Sequence, residues 1–156
     1  MSETAASQQP MFNIEKLYVK DLSLEIPHAP GVFLEREQPQ IELQLHSQAA
    51  GIDEGVFEVV VTVTVTAKLT EKDQVMFLIE AKQAGIFQLR NLPKEEQDTV
   101  LGVVCPNIIY PYLRETVSDV SVRAGFAPVL LNPVNFEAIY LQQKQQQAEA
   151  TPVTTH

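Results

Sequence analysis

The sequence predicts an α+β domain, a four-stranded antiparallel sheet with helices packed on one face. Two observations carry that prediction. Residues up to about 90 alternate apolar and polar with a period of two, and after Arg90 the apolar residues recur at helical spacing. A third supports it: short connections such as T-E-K-D-Q (Thr70 to Gln74) suit hairpins and therefore antiparallel pairing.

The clearest strand is V-F-E-V-V-V-T-V-T-V-T-A-K-L-T, in which Phe57, Val59, Val61, Val63, Val65, Ala67 and Leu69 share one face. Ile41, Leu43 and Leu45 alternate in the same way in Q-I-E-L-Q-L-H. Q-V-M-F-L-I-E-A-K sets Val75, Phe77 and Ile79 against Met76, Leu78 and Glu80. Val60, Met76 and Leu78 are expected to face away from the helices, either as scattered surface apolars or as part of a subunit or partner surface. The first segment changes phase twice, through Phe12 and Ile14, then Leu17 and Val19, then Leu22, Leu24 and Ile26, which is the pattern of a bulged strand. In its last phase Asp21, Ser23 and Glu25 share the polar face. Pro27 to Pro39 is too long for a hairpin and reads as a crossing loop that packs an aromatic, Phe33.

Pro93 and the acidic run behind it resemble a helix start. Ile109, Leu113, Val117 and Val120 form a helical stripe, and Gly125 suits the stop after Arg123. Asn135 can cap a last helix bearing Phe136, Ile139 and Tyr140. Residues 1–10 and 144–156 lack apolar periodicity and are expected to be flexible tails around a domain at 11–143.

Composition narrows the function. Eleven basic and twenty acidic residues give a net charge of −9, which repels nucleic acid and suits basic partner surfaces. The polar start Met1 to Pro10 does not resemble a signal peptide, and no stretch reaches the roughly 18 apolar residues that span a bilayer, so a cytoplasmic protein without membrane insertion is expected. The single cysteine, Cys105, has no evident histidine partner among His28, His46 and His156, and reads as a buried, inert thiol. With six glycines and neither a P-loop nor a G-x-G-x-x-G turn, no nucleotide cofactor is expected. No ligand spacing for a metal occurs, and the scattered carboxylates form no evident acid–base pair, so a binding protein is favoured over an enzyme.

The segment C-P-N-I-I-Y-P-Y-L-R-E (Cys105 to Glu115) resembles the signature of the SecB protein-export chaperones. Y-V-K-D-L-S-L-E is similar to that family's first strand, F-L-I-E-A-K-Q-A-G-I-F (Phe77 to Phe87) to its fourth strand and following turn, and A-P-V-L-L-N-P-V-N-F to the entry of its last helix. The resemblance implies an ATP-independent cytoplasmic chaperone that holds precursor proteins unfolded and passes them to SecA, assembled as a homotetramer, a dimer of dimers. It also implies a SecA contact on the outer face of the sheet, at Asp21, Glu25, Leu78 and Glu80. Client binding is expected at Phe33, Ile41, Leu43, Leu45, Phe136 and Tyr140, each of which could instead be ordinary core. The C-terminal tail is rich in glutamine with Glu149 as its one acid, so the sheet rather than the tail is the expected SecA contact. A rival reading is an oligomeric interaction module serving another partner on the same scaffold.

Overall fold

Two bulges decide how the first strand sits. In the computed structural model, which describes residues 9–150 and the side chains of 9–148, β1 spans Met11–Glu25 and pairs antiparallel with β4 (Gln74–Arg90), with register shifts between Ile14 and Lys16 and between Val19 and Asp21. Each shift adds one unpaired residue and flips the side-chain parity. The three apolar phases thereby fall on one face: Phe12, Ile14, Leu17, Val19, Leu22 and Leu24 oppose Leu89, Phe87, Gly85, Gln83, Ala81 and Ile79.

β3 (Val56–Leu69) pairs with β4 and with β2 (Gln40–Asp53), giving the order β1-β4-β3-β2. β1 and β2 are the two edges, so residues 26–39 must cross the sheet, as the sequence predicts. A 3-10 turn at Gly31–Leu34 punctuates that crossing and buries Val32. The T-E-K-D-Q hairpin forms, with Asp73 at positive φ and Lys68 paired to Asp73 at 2.8 Å.

Three features of the sheet depart from the pattern reading. β2 runs on to Asp53, because its helix-side residues Ser47, Ala49 and Gly51 are small and give no hydrophobic alternation. β4 does not turn after Lys82 but continues through Gly85, where a Cβ would stand 2.7 Å from the Phe87 ring and 3.0 Å from Leu17. Met76 is not on the outer face: a register shift between Ala67 and Lys68 places it in the core, 5 % exposed. Val60 does face outward, beside Ala84 and Gln48, yet it is almost fully covered.

After Pro93 the chain is one helical run from 94 to 123. It comprises α1 (Lys94–Thr99), a π turn (Val100–Val104) and α2 (Cys105–Arg123). Cys105 N–H donates to Val100 O, five residues back. Pro106 then follows with no N–H to donate and a ring that would crowd a regular turn, and the wider turn makes room for it. Ile109, Leu113 and Val117 are fully buried and Val120 nearly so, with α2 lying on β4 and β3. Gly125, at φ +93°, ends the helix in a Schellman motif, with Phe126 N–H donating to Ser121 O and Gly125 N–H to Val122 O. α3 spans Phe136–Ala150 and is capped by Asn135, whose Oδ1 accepts from Ala138 N–H at 3.0 Å. This helix extends past residue 143, so 144–150 are helical where the sequence predicts a tail; of the remaining expected tails, 1–8 and 151–156 lie outside the described residues.

Candidate functional site

The crossing loop and the segment after α2 meet over the β2 side of the sheet and leave a groove of ≈ 550 Å³ between them. Its floor is Ile41 and Leu43 from β2 with Met76 and Phe77 from β4; its walls are Glu37 to Pro39 on one side and Phe126 to Leu130 on the other. A column of rings anchors the start of the crossing loop, ahead of the first wall. Phe77 in the core stacks on Phe126 (centroids 4.7 Å, 27° between planes), which stacks on Phe33 (5.1 Å, 21°), leaving Phe33 half exposed at the rim. The second wall is tied down by polar bonds. Tyr110 Oη donates to Asn132 O at 2.5 Å, and Val129 N–H donates to Ser121 Oγ at 2.9 Å. Leu130 is left 75 % exposed between these ties.

A second cavity, ≈ 440 Å³, lies at the other end of β2, where Ser47, Ala49 and Gly51 leave room beneath Leu101 and Tyr140. Tyr140 rests on Gly102 of the π turn, and Lys144 stands over its ring at 5.4 Å.

These placements divide the six client candidates. Ile41 and Leu43 line the first groove, Phe33 is linked to it through its stack on the lining residue Phe126, and Leu45 lies next along β2, half buried against the core. Tyr140 lines the second cavity. Phe136 is the exception: it is 3 % exposed and packs edge-on against Tyr110 (5.5 Å, 74°), so it is core and presents no ring to either cavity. The sequence reading overlooks Met76, Phe126 and Leu130. A bulge moved Met76, and an apolar residue straight after the helix-stopping Gly125 was the available signal for Phe126.

On the opposite face the four docking candidates come together. Glu25 is directly opposite Leu78, and Glu80 is opposite Ser23, midway between Asp21 and Glu25 on the same face. Leu78 is therefore an apolar spot with carboxylates around it, and Lys82, opposite Asp21, bounds the patch. Farther along, Glu58 accepts hydrogen bonds from Lys20 (2.8 Å) and from Tyr18. Those bonds hold the Glu58 carboxyl below its ordinary range, while burial, with help from Glu58, pushes the Tyr18 hydroxyl up to about 12.

Cys105 is wholly buried at the end of the π turn, and burial pushes its thiol up to about 12, far from a reactive thiolate. Among the described residues, no group of three histidine, cysteine, aspartate or glutamate side chains could hold a metal ion, and no helix is long and apolar enough to cross a membrane.

The family model described as preprotein translocase subunit SecB matches residues 5–147. The chain belongs to the SecB family. Among its relatives, the protein-export protein SecB of Methylobacillus flagellatus is 64% identical over 152 residues, covering 97% of this chain and 96% of the relative. That of Nitrosomonas europaea is 65% identical over 144 residues, covering 92% and 89%. A Mycobacterium tuberculosis SecB-like chaperone, solved in complex with a ChAD peptide from an antitoxin, superposes with a TM-score of 0.63 over 85% of this chain and 94% of the other. At 17% identity that likeness speaks for the fold, which is the SecB-like sheet with helices on one side.

Proposed function

We propose that this SecB-family chain is an ATP-independent chaperone of the cytoplasm that holds precursor proteins unfolded and delivers them to SecA for export. The observation that carries the reading is the groove at the β2 edge, an apolar trough with exposed Ile41, Leu43 and Leu130 and with Phe126, on which half-exposed Phe33 stacks. Side chains of an extended client enter the groove, and the free backbone edge of β2 accepts main-chain hydrogen bonds, which favours breadth of clients over selectivity. Burying one large apolar side chain contributes about 1.5–3 kcal/mol, and ordering the client opposes it. A single groove is therefore weak, and several grooves in one assembly hold a long chain by multivalency.

The assembly in this reading is a homotetramer, a dimer of dimers. Its support is β1, an edge strand whose helix-side residues Ile14, Val19, Leu22 and Leu24 are all exposed in the single chain. SecA docks on the outer face at Asp21, Glu25, Leu78 and Glu80. The carboxylates attract a basic partner and set association rate, and Leu78 slows dissociation.

The test is suppression of aggregation of an unfolded precursor by the pure protein without ATP, together with SecA binding. Failure to bind any unfolded chain would remove the chaperone reading. Binding of unfolded chains with no affinity for SecA would instead indicate an interaction module serving another partner.

A further inference from the structure

The groove has one wall whose position is not fixed by its own packing. Residues 31–34 of the crossing loop are anchored through buried Val32 and the Phe33 stack, but Glu35 to Pro39 leave the core to form the rim. Two carboxylates tie this stretch to the β3–β4 hairpin. Glu35 pairs with Lys72, and one oxygen of Glu37 accepts from both Thr70 Oγ1 (3.3 Å) and Glu71 N–H (3.2 Å). The hairpin is itself braced by Lys68 and Asp73 at 2.8 Å, and Thr70, Glu71 and Lys72 do not line the groove.

We propose that the β3–β4 hairpin is a clamp that holds the crossing-loop wall of the client groove in its open-mouthed position, with Glu35 and Glu37 as its positioning residues. This rests on the groove being the client site. The clamp contributes through pre-organisation: whatever fraction of molecules has the wall in place scales the apparent affinity. Its ion pair is solvent-accessible, Lys72 at 53% and Glu35 at 24%, so that tie weakens with ionic strength. Client affinity thus acquires a salt dependence that originates inside the chaperone, apart from any charge on the client.

The experiment uses the full chain with fluorescent, reduced and carboxymethylated lysozyme as the unfolded probe. Amide exchange across 35–39 is read without probe, and Kd is read with it. Lys72→Glu and Thr70→Val alter only residues outside the groove lining; they should speed exchange at 35–39 and raise Kd by about two- to ten-fold. Lys72→Glu should also flatten the salt dependence of Kd. Glu37→Gln, which keeps the accepting oxygen, should keep exchange at 35–39 slow, whereas Glu37→Ala should speed it. Adding Glu35→Lys to Lys72→Glu should restore slow exchange and affinity. Unchanged exchange and Kd in the hairpin variants, with Ile41→Asp still raising Kd, would overturn the clamp. If Ile41→Asp leaves Kd unchanged, the groove is misassigned, and exchange at 35–39 still decides whether the hairpin holds the loop.

Discussion

Single side chains make the sharpest demands at Cys105, Gly102 and Glu58. Cys105→Ala should cost about 1–2 kcal/mol and leave client holding intact, while Cys105→Asp should prevent folding by burying an unpaired carboxylate. Denaturant melts and thiol alkylation rates at pH 8 check both, since a thiol pushed to about 12 stays unreactive until the chain unfolds. At Gly102 a Cβ would stand 2.5 Å from Tyr140 Cδ2, so Gly102→Ala must displace the Tyr140 ring and loosen its seat on the π turn. The expected result is a lower Tm and faster amide exchange in 136–143, with α2 unaffected. Glu58 gives a pH signature. Its folded carboxyl titrates low, so its contribution is complete above the unfolded carboxylate pKa and fades as pH falls through the folded value. Tyr18 is raised instead: its contribution is complete below 10.0 and is lost as pH climbs toward about 12. Glu58→Gln should flatten the acid limb of a stability profile, and an unchanged limb would mean that the Lys20 and Tyr18 bonds are not kept in solution.

At the level of elements, the β1–β4 patch predicts that Glu80→Lys and Leu78→Asp weaken SecA binding by different routes. The first should slow association and abolish much of the salt dependence; the second should speed dissociation. Surface plasmon resonance at two ionic strengths separates them, and unchanged rates in both variants would place SecA elsewhere. The same strands show which parts of the fold were legible in the residues. β3 could be read directly because every odd position from Phe57 to Leu69 is apolar and, of the even ones, only Val60 is, and the phase changes of β1 announced its bulges. The second half of β2 was hidden because Ser47, Ala49 and Gly51 are small to clear space for the π turn and Tyr140. Met76 was misplaced because a bulge at the head of β4 leaves no mark in a short apolar run. The floor of the groove, Ile41 and Leu43, was visible as a strand face, whereas Phe126 and Leu130 come from an irregular segment with no period to read.

For the whole molecule, the exposed helix-side row of β1 predicts that Val19→Asp or Leu22→Asp lowers the native mass of the proposed tetramer to that of smaller species without unfolding the chain. Native mass spectrometry with circular dichroism reads both, and an intact tetramer would move the subunit contact away from β1. The π turn has a different reach. One such turn is equivalent to an extra residue inserted in a regular helix, and each residue advances the helix by about 100°. It therefore acts as an angular offset, setting the rotational phase of everything that follows. Deleting Val103 would remove that extra residue and leave a regular helix with Ile109, Leu113 and Val117 still on the sheet, whereas straightening the turn with every residue kept would rotate them off it by about 100°. The irregular turn is thus the dial by which the helix is pointed at the strands.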